Sequence, residues 1–599
     1  MLTYEAFSVL SFLSSHPGCP YKDPAAESGT ETYSYFAHCT EETLSKTWNF
    51  CRQNGWLTEN DLLTEEGAEQ LAPYRVTNAV VMAAGLSSRF APLSYEKPKG
   101  LWRVKGEVLI ERQIRQLLEA GISDITVVVG YMKEKFFYLE DKFGVKIVVN
   151  EDYYRYNNPS TLMRVLDRLD NTYICSSDNY FTENVFSPYV YRSYYSAVHT
   201  DEKTDEYCLY AEADGRIRKV TVGGGPDAWY MLGHVYFSRD FSRRFTEILK
   251  REYAEPRVRE QLWEQLYMRH LDELDLYIQK YETSVIREFD SLDELRQFDG
   301  HYINNTNSAI LSHICQVLHC EEREIVDITA IKSGLTNTSF RFTCRDQQYV
   351  YRHPGIGTEN YICRESEAFS MKIAKKLRLD DTFIYMDKEK GWKLSHYIEN
   401  PHTLDYHNPE EVGQALRMMR KLHDANIRSE FDFDIWQTTL SLIKKISDRG
   451  RQDFEDFETL FQKIRTVYRF TEEDRVEKRL CHCDCYDPNF LIGENGAMYL
   501  IDWEYSGNDD PAGDLGTFIC CSDYTWEEAM AILERYFNRP LTPGELRHYI
   551  AYISIASYYW FIWAIYQESI GNTVGEYLYL WYKGAKFYAN KALALYQTD

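Results

Sequence analysis

Residues 83–90 read Ala-Ala-Gly-Leu-Ser-Ser-Arg-Phe and stand directly after a short apolar run at 78–82. A glycine-rich turn at the end of a buried strand presents its backbone N–H groups to phosphates. Gly85 allows the chain to approach a nucleotide closely, because glycine carries no side chain. Arg89 and Lys99 follow as cations that could grip a triphosphate. The stretch predicts an α/β domain with a nucleotide site at the end of its first strand.

Three further apolar runs, at 125–130, 146–149 and 172–175, indicate buried strands, and 110–120 has the pattern of an amphipathic helix. Buried strands that alternate with helices predict a mostly parallel sheet, whose loops at the carboxyl ends of the strands bind ligands. Asp178 comes directly after the last of these runs and so belongs to that edge of the sheet.

The complete string from 83 to 112 resembles nucleoside-triphosphate transferases of the sugar-nucleotide pyrophosphorylase type, in particular bacterial phosphocholine cytidylyltransferases. The resemblance covers about 76–300 and implies a Rossmann-like nucleotidyltransferase domain. In such a domain Lys99 would neutralise the attacked α-phosphate. Thr161 stands where the family more often has serine. The resemblance implies that CTP is bound by Ala83, Gly85, Arg89, Asn158 and Thr161, and that Mg²⁺ is held by Asp178 and Asp290.

A second set of residues lies about 400 positions further along. His482, Asp484 and Asn489 have the spacing of a kinase catalytic loop, and Asp502 stands where the metal-binding aspartate of kinases belongs. Asp484 is therefore expected to accept the proton of the substrate hydroxyl. Asn489 and Asp502 are expected to bind Mg²⁺.

The segment from Asp502 to Gly516 resembles choline/ethanolamine kinases and aminoglycoside phosphotransferases, over about 326–599. Predicted strands at 326–333, 339–344 and 348–352, with a helix at 365–377, agree with the small lobe of a bilobal kinase. Arg352 stands where protein kinases have lysine, and choline kinases also use arginine there. The resemblance implies that ATP is bound by Ser333, Thr336, Asn337, Arg352 and Glu367.

A quaternary ammonium ion requires an aromatic cage. Trp560 and Trp563 are three residues apart on a predicted helix and therefore share a face. By itself such a stripe more often belongs to the core. Choline kinases carry a W-x-x-W pair followed by glutamine here, and Gln567 fits this pattern. The resemblance implies a choline site formed by Trp560, Trp563 and Tyr579.

Residues 1–75 form a separate small unit, with a helix predicted from Glu41 to Gln53 and weak motifs that resemble a winged helix. DNA binding would require a basic recognition helix, because phosphate contacts dominate affinity for DNA. This helix begins with two acids and offers only Lys46 and Arg52 as bases. The sequence therefore favours a protein-contact domain over a DNA-binding one.

The chain has 599 residues, 44% hydrophobic content and a formal net charge of −25. This net negative charge excludes a protein whose whole surface attracts nucleic acid, and it does not favour binding to anionic membranes. No leader or long apolar run stands out, which predicts a cytoplasmic enzyme without membrane insertion. The spacing of Cys481, Cys483 and Cys485 is typical of free thiols in a reducing cytosol rather than of a zinc site.

Together these patterns predict a multidomain protein of α/β and α+β class, with a winged-helix-like domain at 1–75, a nucleotidyltransferase domain at 76–300 and a bilobal kinase-like domain at 301–599. We expect the kinase to phosphorylate choline with ATP, and the transferase to join phosphocholine to CTP, which yields CDP-choline and pyrophosphate. Ethanolamine, another small amino alcohol, or more distantly a sugar, remain alternative substrates. A regulator whose winged helix responds to choline or CDP-choline is the non-enzyme alternative. A homo-oligomer also stays open.

Overall fold

The computed structural model describes residues 2–19, 36, 39–331, 337–355, 362–448, 454–570 and 573–597. The chain folds into two compact units, Met1–Ser312 and His313–Asp599. The boundary falls within the helix Ala309–Leu318. No helix among the described residues combines the length and apolar character required to cross a membrane.

The first unit is built on a nine-stranded sheet within the described residues. Its four predicted strands are confirmed as Asn78–Ala83, Ile125–Val129, Lys146–Val149 and Thr172–Ser176, and they pair in parallel. Because the first and last of these are neighbours, Ala83 and Ser176 end at the same edge. This brings the glycine-rich turn and Asp178 together.

The prediction of a mostly parallel sheet is correct only for the part of the sheet that these four strands form. From Thr172–Ser176 outward, most pairings are antiparallel, and the strand Tyr277–Tyr281 pairs in parallel at the far side. In the strand Thr204–Ala211 only Cys208 and Leu209 are buried, so this part of the sheet is largely accessible to water. The remaining strands are Tyr194–Thr200, Thr204–Ala211, Ile217–Gly224 and Ala228–Phe237, with short pairs Arg103–Val104/Glu107–Val108 and Tyr180–Phe181/Ile286–Arg287.

Helices cover the sheet, and the predicted helix at 110–120 is confirmed as Leu109–Glu119. Its buried side includes Ile110, Ile114 and Leu117, at the spacing that places side chains on one face. The other α-helices of this domain are Leu93–Glu96, Tyr138–Phe143, Asn158–Met163, Arg239–Glu252, Pro256–Glu260, Trp263–Arg269 and Leu292–Phe298.

The amino-terminal segment contains the helices Tyr4–Ser15, Glu41–Gln53 and Glu65–Leu71. Between the last two, Leu57 and Leu63 form a single antiparallel bridge. The two bases of the helix Glu41–Gln53 are already paired. The Lys46 ammonium lies 2.5 Å from Glu42, and the Arg52 guanidinium binds Asp61, whose side chain is buried. This pairing leaves little positive charge for phosphates.

The segment packs on the transferase sheet through a group of aromatic residues. The Tyr191 ring stacks on Tyr74 with centroids 5.5 Å apart, and it contacts Phe7 at 5.3 Å. Its hydroxyl donates a hydrogen bond to the carbonyl oxygen of Leu2. This contact lies on the side where Asn78–Ala83 begins, because the N–H of Val76 donates to the carbonyl oxygen of Pro188. These contacts place the described part of the segment at the end of the sheet opposite the carboxyl ends of the parallel strands.

The second unit begins with a five-stranded antiparallel sheet. Its order is Ile325–Ile331, Asn337–Cys344, Gln347–Pro354, Lys393–His396 and Phe383–Met386, which confirms the three predicted strands. The predicted helix at 365–377 is confirmed as Arg364–Lys376.

A helical lobe follows and encloses one large hydrophobic core. The helix Pro543–Ser569 is buried on all sides from Ile550 to Ile562, as expected for a segment that is apolar all round. Short strands Arg479–Cys481 and Gly507–Asp509 pair, as do Phe490–Ile492 with Met498–Leu500 and His402–Thr403. The other helices are Pro409–Asp424, Ile435–Ser447, Phe457–Glu473, Pro511–Cys520, Trp526–Phe537 and Tyr577–Gln597.

Tyr191→Ala should loosen the amino-terminal segment, because it removes the ring stack and the hydrogen bond to Leu2. A half-buried aromatic ring contributes about 1–3 kcal/mol at such a contact. We expect a lower unfolding temperature and faster proteolytic cleavage between residues 2 and 75. Tyr210→Ala, on an exposed tyrosine of the same domain, is the control. Equal behaviour of the two variants would contradict the docking role of Tyr191.

Candidate active sites

A cleft of about 660 Å³ opens at the carboxyl ends of the parallel strands. It is lined by the glycine-rich turn, the Pro98–Gly100 segment, the loop before the helix Asn158–Met163, and the ends of two strands. All eight residues that the sequence assigned to CTP and its metal line this one cleft: Ala83, Gly85, Arg89, Lys99, Asn158, Thr161, Asp178 and Asp290.

Lys99 is the cation at the centre of this cleft. Its ammonium lies 2.9 Å from a carboxylate oxygen of Asp178 and 3.7 Å from one of Glu288. Burial by itself would lower the pKa of Lys99, but these carboxylates raise it above its ordinary value. Lys99 therefore stays charged, as a group that stabilises phosphate oxygens must. Lys97 is half-buried and does not line the cleft.

Glu288 is a site residue that the sequence motif did not single out. Enclosure in the cleft and the charge of Asp178 raise its pKa to about 7. The amide of Asn179 donates a hydrogen bond to its second oxygen at 3.2 Å. Glu288 precedes Asp290 by two residues, and that spacing could have suggested it.

Three carboxylates, those of Asp178, Glu288 and Asp290, thus line one wall of the cleft. Hard oxygen ligands of this kind, together with phosphate oxygens and water, are the donors that Mg²⁺ prefers. The donor set fits the ion that the sequence implies.

The glycine-rich turn is open towards the cleft. A side chain at Gly85 would meet nothing within 4 Å, so the space beside it is available to a ligand. The Arg89 guanidinium is mostly exposed and lies 3.9 Å from Asp290. It is placed to reach a phosphate in the open part of the cleft.

Asn158 and Thr161 also line the cleft. The buried Thr161 hydroxyl accepts a hydrogen bond from the side-chain amide of Asn150 at 3.2 Å. The side-chain amide oxygen of Asn158 accepts one from the backbone N–H of Trp263 at 2.7 Å. Both side chains are therefore held in place by the fold.

The kinase residues come together in the helical lobe of the second unit. The amide of Asn489 donates to a carboxylate oxygen of Asp484 at 2.9 Å and to its backbone oxygen at 2.8 Å. A hydrogen bond of 2.9 Å joins His482 Nε2 to the backbone oxygen of Ile501, beside Asp502. Burial and the charge of Asp502 hold the pKa of Asp484 well above its usual range.

Arg352 connects this loop to the small lobe. Its guanidinium lies 2.5 Å from Glu367, 3.5 Å from Asp502 and 3.9 Å from Glu504. Both Arg352 and Glu367 are buried. Burial would raise the pKa of Glu367, but Arg352 lowers it to about 2. The predicted pair is therefore a charged one.

Glu504 is a second residue that the sequence did not single out. Burial and Asp502 raise its pKa to about 7, although Arg352 acts in the opposite direction. The amide of Asn337 donates to it at 2.8 Å, which places that predicted ATP residue beside the catalytic loop. Asn489, Asp502 and Glu504 supply oxygen donors that fit Mg²⁺. The predicted ATP residues Ser333 and Thr336 lie outside the described residues.

A buried aspartate braces the catalytic loop. Asp514 accepts hydrogen bonds from the backbone N–H groups of His482 and Cys483, and a hydrogen bond of 2.9 Å joins it to His423. Cys483 and Asp502 both have φ of 65°, a conformation that costs energy outside glycine and persists where the surroundings enforce it. The hydrogen bonds to Asp514 help to hold the loop in this conformation.

A pocket of about 180 Å³ opens beside Glu504. Tyr505, Tyr559, Trp563 and Tyr566 line it, together with Gln567. Burial and the charge of Asp484 raise the pKa of Tyr559.

Of the three predicted cage residues, the structure places only Trp563 on the pocket wall. Trp560 is buried behind it, with ring centroids 5.6 Å apart, and its indole N–H donates to the Thr517 hydroxyl. Tyr579 is 68% exposed and is not among the residues that line the pocket. Trp581, two residues further on, packs against Trp560 at 5.8 Å. Successive residues of a helix are about 100° apart, so Trp581, two positions after Tyr579, lies on a different face of the helix.

Gly100→Ala should impair nucleotidyl transfer and leave phosphorylation unchanged. A Cβ atom at residue 100 would stand 2.7 Å from the Ser177 hydroxyl oxygen and force apart the segments that carry Lys99 and Asp178. A displacement of this size can cost on the order of a hundredfold in rate. Gly225→Ala, where a Cβ meets nothing within 4 Å, is the control. Wild-type transfer by Gly100→Ala would contradict this geometry.

The two tryptophans should respond differently to truncation. Trp563→Ala should raise the choline KM by about 2- to 30-fold, the worth of a cation–π contact, and leave the ATP KM unchanged. Trp560→Ala should mainly lower stability, by about 3–5 kcal/mol for a buried ring. Steady-state kinetics and thermal unfolding separate these effects. If Trp560→Ala raised the choline KM more than Trp563→Ala did, the assignment of the pocket wall would be wrong.

Comparisons with known proteins agree with the two sites. Residues 79–247 match the MobA-like NTP transferase domain family, and residues 328–552 match the choline/ethanolamine kinase family. The chain is 37% identical to the 2-aminoethylphosphonate cytidylyltransferase of Lancefieldella rimae over 231 residues, 38% of this chain and 94% of that protein. It is 33% identical to the choline-phosphate cytidylyltransferase of Streptococcus pneumoniae over 221 residues, 37% of this chain and 96% of that protein.

The kinase part has its own relative. Protein LicA of Haemophilus influenzae is 28% identical over 257 residues, which are 41% of this chain and 94% of that protein. The chain therefore belongs to the cytidylyltransferase family in its middle part, and a choline/ethanolamine kinase domain follows in the same polypeptide.

Proposed function

We propose that this chain is a bifunctional enzyme that phosphorylates choline with ATP and then transfers CMP from CTP to phosphocholine. One observation carries the proposal: a cleft lined by the expected nucleotidyltransferase residues and a cluster of Arg352, Glu367, Asp484, Asn489 and Asp502 with kinase spacing occur in one polypeptide. The first reaction makes a phosphate monoester, and the second consumes one. The products are CDP-choline and pyrophosphate.

In the kinase site, Asp484 receives the hydroxyl of choline. Its raised pKa, caused by burial and by Asp502, suits a group that takes up the hydroxyl proton as the oxygen attacks the γ-phosphorus of ATP. Asn489 holds the Asp484 carboxylate in place. Arg352 stays charged between Glu367 and Asp502 and can pair with phosphate oxygens. The bond to ADP breaks as the new P–O bond forms.

In the transferase cleft, a phosphate oxygen of phosphocholine attacks the α-phosphorus of CTP, and pyrophosphate leaves. Lys99 stabilises the charge that develops on the α-phosphate oxygens. Its own position is set by Asp178 and Glu288. Arg89 can bind the outer phosphates from the open side. Mg²⁺, held by the carboxylates of each site, would neutralise phosphate charge in both reactions.

Choline is favoured over ethanolamine by the aromatic lining of the kinase pocket. Tyr559, Trp563 and Tyr566 line this pocket, and aromatic rings attract cations. A trimethylammonium group has no N–H with which to donate hydrogen bonds to carboxylates. The same two reactions on ethanolamine form the second candidate.

A third candidate follows from the relative that acts on 2-aminoethylphosphonate. A phosphonate carries a carbon–phosphorus bond, which phosphoryl transfer to a hydroxyl group does not form. The kinase domain in the same chain therefore favours a phosphate ester as the transferase substrate.

For residues 1–75 we propose a protein-contact role on a winged-helix-like unit. The bases that DNA would require are paired with Glu42 and Asp61. The regulator alternative is disfavoured, because a pure sensor has no need of Lys99, Asp178, Asp484 and Asp502 together.

Asp484→Asn should abolish phosphocholine formation, by at least about a hundredfold, because the proton acceptor is lost. It should leave CDP-choline formation from supplied phosphocholine unchanged. Lys99→Met should abolish CDP-choline formation and leave the kinase reaction unchanged, so that phosphocholine accumulates from choline and ATP. Mass spectrometry of reactions with choline, ATP, CTP and Mg²⁺ reads both products.

Two matched variants control this experiment. Lys97→Met removes a neighbouring lysine that does not line the cleft, and Asp523→Asn removes an exposed carboxylate of the kinase unit. Both should keep both activities. If either Asp484→Asn or Lys99→Met abolished the two reactions together in a folded protein, the model of two independent sites would fail.

A further inference from the structure

The aromatic pocket of the kinase contains a positive charge of its own. Lys445, on the helix Ile435–Ser447, lines the pocket and is the one lysine or arginine among its described lining residues. Its ammonium lies 5.7 Å from the centroid of the Tyr566 ring. A cation in a pocket that receives a cationic alcohol requires a physical explanation.

Two carboxylates line the same pocket. Asp432 accepts a hydrogen bond from the amide of Asn508 at 2.9 Å. Glu504 is bound by the Asn337 amide at 2.8 Å, and the guanidinium groups of Arg352 and Arg364 lie 3.9 Å and 4.0 Å from it. These arginines already offset much of the charge of Glu504. Lys445 adds a further cation on the pocket wall, and without it the field in the pocket would be more negative.

The strength of that field discriminates between two kinds of cation. The ammonium of ethanolamine concentrates its charge and has three N–H donors, so it gains most from nearby carboxylates. The trimethylammonium of choline spreads its charge over a larger surface and gains from aromatic faces instead. A weaker anionic field therefore favours choline over ethanolamine.

We propose that Lys445 is a specificity-determining residue of the kinase, whose ammonium makes the field in the pocket less negative and so favours the quaternary ammonium over a primary one. This inference rests on the proposed choline kinase activity. Lys445 touches neither the phosphates nor the reacting hydroxyl in this assignment. Its effect is on which alcohol the kinase phosphorylates faster.

The test compares phosphorylation of choline and ethanolamine by the full-length protein. Lys445→Met keeps the length of the side chain and removes its charge. The kcat/KM of ethanolamine should rise by about tenfold, because a like charge is removed from the pocket wall, and that of choline should rise by less than about threefold. The ratio of choline to ethanolamine should therefore fall at least about threefold. The ATP KM should not change.

Two variants isolate the charge as the cause. Lys445→Arg keeps the charge and should keep the wild-type ratio. Lys444→Met removes the adjacent lysine, which is exposed and does not line the pocket, and should also keep it. An unchanged or increased ratio in Lys445→Met would overturn the proposal, as would an equal fall in Lys444→Met.

Failure of this inference is distinguishable from failure of the proposed function. If the wild-type protein phosphorylated neither alcohol, the choline kinase assignment itself would fall. If it phosphorylated choline and Lys445→Met left the ratio unchanged, only the role of Lys445 would be wrong.

Discussion

Each of the two active sites depends on a buried cation held among carboxylates. Lys99 lies between Asp178 and Glu288, and Arg352 lies between Glu367, Asp502 and Glu504. Carboxylates gathered closely enough to bind Mg²⁺ repel one another. A fixed cation offsets that repulsion before metal and nucleotide arrive.

The pKa values reflect this balance. Enclosure and a neighbouring aspartate raise the pKa values of Glu288 and Glu504 to about 7. The pKa of Glu367, which is in direct contact with Arg352, is lowered to about 2. Breaking a buried ion pair by removing one partner costs about 3–5 kcal/mol, because the other charge is left without compensation. The cations therefore stabilise the fold in addition to the role that we propose for them in binding phosphates.

Unrelated scaffolds position the residues of these two sites by different means. In the transferase, parallel strands end at one edge, and Gly100 allows its segment to approach Ser177 closely. In the kinase, Asp514 grips the backbone of His482 and Cys483 and stabilises a left-handed turn. Both solutions place polar groups on loops that a rigid core supports. The described residues of the amino-terminal segment pack at the opposite ends of the transferase strands, and none of them lines the cleft.

By itself, the sequence determined the chemistry that short spacings encode. The turn at 83–90, Lys99, and the spacing of Asp484, Asn489 and Asp502 predicted two nucleotide sites, because neighbouring residues on a strand end or loop cannot move far apart. Contacts between distant segments were decided only by the tertiary structure. Glu288 and Glu504 became site residues through their partners, and the antiparallel half of the first sheet arose from pairings that local pattern does not specify. Within helices that are apolar all round, periodicity cannot say which face meets a pocket. Packing therefore decided that Trp563 lines the pocket, that Trp560 and Trp581 lie behind it, and that Tyr579 faces solvent.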